Sequence, residues 1–377
     1  MRISIVTVCL NSVKTIERTI KSVTSQAYDD VEYIVIDGGS TDGTVDIIKK
    51  YERYISCWIS EKDDGIYDAM NKGIDRATGD VIAFLNSDDW YEENIFGEIA
   101  KRFEDSELQV LCGDMYCHKG RTVIRHHVDE QKGRQSMRYE MGYPHQTMFV
   151  KKDLFDRYGK FDTHYQITAD YDWLLRVYDR HVRIGVINKV LTNFSYGGIS
   201  TREDLIDMQI EERRQVALLG LEKNQELTIA EKEKWRKLIE NIHTESRYYR
   251  KEKSVISKIK TGDDANVLNQ AKKVFDRNAY EVFGCGSVFA ELRSILKSIN
   301  ISITKLWDND EKKWGKTIDG IEIGNPKHMM TGQNMIIIAS TNYEKEIERQ
   351  LRQSGFSKSV DYILYSELRK QIVEAVS

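Results

Sequence analysis

The sequence predicts an α/β protein: a largely parallel sheet in its first half, a charged helical stretch in the middle, and a smaller α/β domain at its carboxyl end. Three observations carry this. From residue 3 to residue 85, short β-branched apolar runs alternate with helical patterns, the signature of strands joined by crossover helices. These runs end on small or acidic residues: Asn11-Ser12, Gly38-Gly39-Ser40 and Asn86-Ser87-Asp88-Asp89. The same alternation restarts at Tyr280, after a charged helical stretch.

The elements follow in order. Ile3 to Leu10 reads as a buried strand, and Ile16, Ile20 and Val23 mark the apolar face of the next helix. Val31 to Asp37 is a second strand, and a helix runs from Thr44 to Tyr51. Tyr54 to Ser60 is a weaker strand, Ile66 to Ala77 a helix, and Val81 to Leu85 a fourth strand. Beyond residue 100 the pattern loosens. Gln109–Tyr116, Gln146–Val150 and Arg183–Leu191 are strand-like, and Asp170 to Tyr178 is a helix with Trp173, Leu174 and Val177 on its apolar side. Residues 203–260 are helical and charged. Tyr280–Phe283, Ile301–Trp307 and Asn334–Ala339 are strands of the second α/β pattern. The expected division is 1–202, a helical connector 203–264, and 265–377.

At 377 residues the chain exceeds one ordinary core. Its 56 basic and 60 acidic residues nearly balance, which argues against nucleic acid as a partner. The five cysteines form no Cys-x-x-Cys pair and read as free thiols in a reducing cytosol. No run of about 18 apolar residues is present, and the first residues read as a strand rather than a signal peptide. The expected location is therefore the cytoplasm. A basic stretch from Lys232 to Lys260 reads as a solvated helix face, or alternatively as a contact with anionic headgroups at the inner face of the plasma membrane.

In open parallel sheets the ligand lies at the carboxyl ends of the strands, where Asn11, Asp37 and the Asn86–Asp89 run all fall. Asp88 and Asp89 are adjacent carboxylates after a buried strand. They repel each other, and Mg²⁺ or Mn²⁺ would relieve that while leaving positions open for phosphate oxygens. Asp37 can accept from a base N–H or a ribose hydroxyl, and Gly38-Gly39 lets a ligand approach the backbone. Glu61, Asp63 and Asp64 add acidity near the same edge. Asp170 and Asp172, at a helix start, are both candidates for a general base; helix capping would equally explain an Asp there.

Several motifs occur together and in order: Ile5-Val-Thr-Val-Cys-Leu-Asn11, Tyr33-Ile-Val-Ile-Asp-Gly-Gly-Ser-Thr-Asp-Gly-Thr44, Asp64-Gly-Ile-Tyr-Asp-Ala-Met-Asn-Lys-Gly73, Ala77-Thr-Gly-Asp80 and Phe84-Leu-Asn-Ser-Asp-Asp-Trp90. With them the first 200 residues resemble glycosyltransferase family 2, the inverting family with the GT-A fold. The resemblance implies transfer of a hexose or N-acetylhexosamine from a UDP-sugar to a saccharide acceptor, lipid-linked in surface polysaccharide synthesis, with Mn²⁺ or Mg²⁺. It implies that Thr7 and Asp37 hold uridine, and that Asn11, Gly38, Asp64, Asn71, Lys72, Asn86 and Ser87 line the donor site. Asp88 carries the metal with Asp89 in support, since Asn86 stands first in the family's Asp-x-Asp motif. Asp170 matches the catalytic base; Ala169 precedes it where the family has Glu, which keeps Asp172 as second candidate. His145 falls where related enzymes meet the acceptor. Gly198 and Ser200 lie in a stretch that resembles a loop closing over the donor.

In the carboxyl-terminal domain, Gly284-Cys-Gly286 follows a strand and opens a helix, and Asp308 closes the next strand about 20 residues on, as in a dinucleotide fingerprint lacking its last glycine. The domain reads as a Rossmann-like second nucleotide site at Gly284, Gly286 and Asp308, or as an element of assembly into a homo-oligomer. The alternatives for the whole chain are a bifunctional enzyme with a second nucleotide-dependent activity in this domain, or a non-catalytic nucleotide-sugar-binding scaffold.

Overall fold

The computed structural model describes residues 1–105, 107–331, 334–340 and 342–376. They form two compact units, Met1–Thr244 and Glu245–Ser377.

In the first unit β1 (Ile3–Cys9), β2 (Val31–Asp37), β3 (Cys57–Ser60) and β4 (Val81–Phe84) are parallel, in the order β3-β2-β1-β4. Between them run α1 (Ile16–Thr24), α2 (Thr44–Lys50) and α3 (Ile66–Arg76). Successive residues of β1 serve opposite layers. Ile3, Ile5 and Cys9 pack in one core with Ile16, Ile20 and Val23 of α1; Val6 and Val8 pack in the other with Met70 and Ile74 of α3. A fully buried residue of this kind contributes roughly 1.5–3 kcal/mol, which fixes the register of every strand end. Helix α3 lies so close to the sheet that a Cβ on Gly73 would stand 2.3 Å from Val6 Cγ1, so only glycine fits there.

The sheet continues with β5 (Trp90–Tyr91), β6 (Val110–Lys119), β7 (Thr122–His126), β8 (Phe149–Lys151) and β9 (Ile184–Ser195), in the order β4-β8-β6-β9-β5, with β7 paired to β6 as a hairpin. β8 is antiparallel to β4 and β6, whereas β6 and β9 are parallel. Helices α4 (Phe96–Arg102), α5 (Glu130–Ser136), α6 (Asp153–Tyr158), α7 (Ala169–Tyr178) and α8 (Ile206–Lys223) complete the layers.

The differences from the sequence reading have local causes. Glu52–Tyr54 is a 3₁₀ turn, so the third strand starts only at Cys57. His145–Thr147 is likewise a 3₁₀ turn, and the expected strand shortens to Phe149–Lys151. All five residues of β7 are exposed, which leaves no apolar alternation to announce it. The helical stretch is not a separate connector. Val216, Ala217 and Leu221 of α8 and Ile239 of α9 (Ile229–Thr261) are buried in the first unit, while Val255, Ile256 and Ile259 of α9 are buried in the second. The boundary therefore falls inside one helix. Among the described residues no helix is long and apolar enough to cross a membrane.

The second unit contains α10 (Ala265–Lys273), β10 (Ala279–Phe283), α11 (Ser287–Ser298), β11 (Ser302–Trp307), β12 (Thr317–Ile318), β13 (Ile321–Gly324), β14 (Ile336–Ile338), α12 (Glu344–Gln353), β15 (Tyr362–Leu364) and α13 (Tyr365–Val376). Its strands β13-β11-β10-β14-β15 are all parallel, and the order reverses beside β10. This is the Rossmann-like sheet expected from the sequence.

Candidate active site

β2 delivers Asp37 to the carboxyl edge of the sheet, where it is fully buried. Its carboxylate accepts from the Ser40 hydroxyl at 2.5 Å and backbone N–H at 3.0 Å, from Gly39 N–H at 3.2 Å and from the Ser60 hydroxyl at 2.6 Å. Burial pushes the carboxyl up, but the Ser40 and Ser60 bonds outweigh it and hold Asp37 below the usual range, ionised. The Gly-Gly-Ser loop is thus folded around its own aspartate. Asn11, with φ 50°, docks on the same loop: its N–H donates to Ser40 Oγ at 2.7 Å and its Oδ1 accepts from Thr41 N–H at 3.0 Å. Asp63 reaches over from the next loop, so a Cβ on Gly38 would stand 2.4 Å from Asp63 Oδ2.

The turn after β4 is held from behind. Thr19 of α1 donates to the carbonyls of Ser87 (3.0 Å) and Asp89 (2.6 Å). Arg18, stacked 3.5 Å over the Trp90 ring, donates to the Asp88 carbonyl at 2.8 Å, as does the Ser195 hydroxyl at 2.7 Å. With the carbonyls fixed, the two carboxylates diverge. Asp89 is fully buried; its Oδ1 accepts from Ser195 N–H at 2.8 Å, and its Oδ2 has no partner among the described residues. Asp88 lies beside the 197–200 segment: a Cβ on Gly198 would be 3.1 Å from Asp88 Oδ2. Burial pushes both carboxyls up, Asp89 well above the usual range because Asp88 repels it as well. The Asn86 Oδ1 is also buried without a partner. Unsatisfied oxygens beside two destabilised carboxylates fit a divalent cation. Among the described residues no group of three His, Cys, Asp or Glu side chains could hold one. The donor set suits an ion that keeps one or two carboxylates and takes the rest from phosphate and water, not an all-protein cage.

The third part lies on α7. Asp170 Oδ1 accepts from the Tyr67 hydroxyl at 3.0 Å and from Tyr171 N–H at 2.9 Å. Burial and the neighbouring Asp170 hold the Tyr67 phenol well above its ordinary value, so it remains a donor. The segment before Asp170 is fixed by Glu212 of α8, whose buried carboxylate accepts from the N–H groups of Gln166 (2.8 Å), Ile167 (2.9 Å) and Thr168 (3.2 Å). Asp170 borders a cavity of about 270 Å³ with His145, Ser200 and Arg213. His145 is only 6% exposed, stacks on Phe84 with centroids 5.4 Å apart, and has no hydrogen-bond partner on either ring nitrogen among the described residues. Burial holds its imidazole below the ordinary value, against the pull of Asp170.

The remaining candidates are placed differently. Thr7 is fully buried, with its hydroxyl accepting from Tyr33 at 3.1 Å, so its side chain faces the core. Both ends of the Asn71 amide hold the backbone of Phe161, at 2.9 and 3.1 Å. Lys72 bridges Glu61 (3.1 Å) and Asp68 (3.2 Å), and Asp64 N–H donates to Asp68 at 3.1 Å. The Ser87 hydroxyl pairs with that of Ser12 at 2.7 Å. Asp172 faces a different cavity and pairs with Arg176 at 2.9 Å. Arg18, Tyr67, Ser195, Glu212 and Arg213 were not singled out from the sequence. Tyr67 stands inside a quoted motif and could have been; Glu212 and Arg213 look like any pair on a charged helix.

In the second unit, Gly284 (φ 100°) passes close to the Ala339 carbonyl, where a Cβ would come within 2.9 Å, and space is open around Gly286. Both border a cavity of about 540 Å³ together with Asp308 and Lys313. Asp308 accepts from Cys285 N–H, Asp310 N–H and Lys313, each at 2.9 Å, so its oxygens already serve the turn.

Comparison with known proteins gives two matches to family profiles: residues 4–161 match glycosyl transferase family 2, and residues 278–360 match the family described as C2185-like, N-terminal. An uncharacterized glycosyltransferase of Mycobacterium tuberculosis is 32% identical over 181 residues, covering 46% of this chain and 68% of the relative. A PGL/p-HBAD biosynthesis glycosyltransferase of Mycobacterium bovis is 28% identical over 206 residues, 52% of this chain and 78% of the relative. Among solved structures, S. aureus TarS 1-349 in complex with UDP-GlcNAc superposes with a TM-score of 0.51 at 16% identity, over 80% of this chain and 90% of that one. A longer TarS chain gives 0.52 at 20% identity, with 64% of this chain covering 43% of it.

Proposed function

The chain belongs to glycosyltransferase family 2, with a GT-A fold in its first unit, and on that premise we propose that it transfers a hexose or N-acetylhexosamine from a UDP-sugar, with inversion, to a lipid-linked saccharide of a surface polymer. The observation that carries this reading is the carboxylate of Asp170, locked on one oxygen by Tyr67 and facing a cavity beside the buried, unpartnered His145. Both tethering bonds fall on Oδ1, which leaves Oδ2 to take a proton. The TarS structures that carry UDP-GlcNAc support the donor class, and the mycobacterial relatives in PGL/p-HBAD biosynthesis support a cell-surface acceptor.

In this reading Asp37 and its loop hold the nucleoside. Asp88 would hold Mg²⁺ or Mn²⁺, with Asn86 Oδ1 and Asp89 behind it. The ion would neutralise the charge that grows on the diphosphate leaving group. Asp170 accepts the proton of the acceptor hydroxyl as that oxygen bonds to the anomeric carbon and the bond to the diphosphate breaks. A single displacement of this kind inverts the anomeric configuration. A lipid-linked acceptor would be met at the inner face of the plasma membrane, as a peripheral contact.

The test is UDP release from a panel of UDP-sugars, with GDP-mannose as control, in Mg²⁺ or Mn²⁺ and in EDTA. One UDP-sugar should be cleaved well above the others, and chelation should abolish the signal. Cleavage of GDP-mannose alone, or equal rates in EDTA, would overturn the donor or the metal assignment respectively.

A further inference from the structure

The cavity that Asp170 borders also presents a guanidinium. Arg213 of α8 lines it and, among the described residues, makes no ion pair or hydrogen bond. The next residue shows how unusual that is on this helix. Arg214 is bound by both oxygens of Glu240, at 2.7 and 2.8 Å, and by Glu211 at 3.2 Å. The Arg213 side chain is partly buried while its guanidinium donors stay open to solvent, so they are free to meet an anion that enters the cavity. Asp170 is the acidic residue among those lining the cavity, and no ion pair joins it to Arg213; its Oδ1 is taken by Tyr67 and Tyr171. The other titratable groups bordering the space are the imidazoles of His126 and His145 and the phenol of Tyr171. The second observation is His145 itself, more than nine-tenths buried with both ring nitrogens unpartnered, on the wall of the same cavity.

Resting on the transferase reading, we propose that this cavity selects an acceptor carrying an anionic group, a carboxylate or phosphate on the saccharide, which Arg213 grips while His145 hydrogen-bonds a neighbouring hydroxyl. The planar fork of arginine matches either anion with two parallel bonds. Arg213 would thus be a specificity-determining residue, and Asp170, within the same cavity, would meet the hydroxyl of an acceptor so oriented.

The test uses the full chain saturated with UDP and Mg²⁺ and a saturation-transfer NMR titration. The probes are methyl glucuronide, methyl glucoside 6-phosphate and methyl glucoside. At least one anionic probe should bind about tenfold or more tightly than the neutral one, which corresponds to about 1.4 kcal/mol. Preference for the carboxylate points to an acidic sugar, and preference for the phosphate to a phosphorylated saccharide or lipid phosphate. Arg213→Gln should erase the preference without changing UDP affinity, and Arg213→Lys should restore part of it. Equal binding of all three probes, or a preference that survives in R213Q, overturns the proposal. Because the readout is binding, its failure is distinguishable from failure of the transferase reading, which the UDP-release panel reports separately.

Discussion

Asp88→Ala is expected to lower turnover by about 10³-fold or more while leaving a folded protein. Two effects combine. The substitution removes the carboxylate that lies beside Gly198, and with it the proposed anchor of the cation; it also removes a charge that stabilises whatever cation remains. Stability should respond in the opposite sense. Burial raises both carboxyls of the pair, and Asp88 repels Asp89 as well, so deleting Asp88 relieves a strain that the metal-free protein bears. In thermal unfolding, D88A without metal should melt at or above the wild-type temperature. Mn²⁺ should add to the rise that UDP alone gives the wild-type midpoint and add nothing in the variant, because only a ligand bound to the folded state shifts the transition. A variant that keeps full turnover would remove the metal assignment.

Asp170→Asn is expected to lower turnover by roughly 10²–10⁴-fold with UDP affinity unchanged. Asparagine keeps the shape and can keep the bond from Tyr67, but it cannot take a proton. Asp172→Asn is the matched control. Its carboxylate pairs with Arg176 and faces another cavity, so its loss should leave turnover within a fewfold of wild type. The reverse pattern, a dead D172N and an active D170N, would move the base by two residues.

These assignments were legible in the sequence to different depths. The parallel core was plain because β1, β2 and β4 are mostly apolar and β-branched and stop on polar turns. The same stops brought Asp37 and Asp88 to one edge. What a sequence could not resolve was which way a side chain faces at that edge. Asp88 and Asp89 are adjacent, yet Ser195 N–H draws the second inward. Ser195 lies over a hundred residues away, on β9. Thr7 and Asn71 sit in the right motifs, but their side chains are spent on Tyr33 and on the backbone of Phe161, partners contributed by other elements. Asp170 and Asp172 are two residues apart on one helix, roughly 200° around its axis, and only the packing of α7 decides which of them meets Tyr67. Glu212 is the extreme case. Its pattern is that of an exposed charged helix, and its burial exists only because three backbone N–H groups of residues 166–168 converge on it.

In the proposed reaction one carboxylate, Asp170, deprotonates an acceptor that displaces the diphosphate directly. The anomeric configuration of the product, read by proton NMR after transfer from an α-linked UDP-sugar, reports that displacement. A β-linkage is expected, formed at the wild-type rate with Asp170 present and nearly lost in D170N. An α-linked product would mean two displacements or a front-face reaction, and would contradict it.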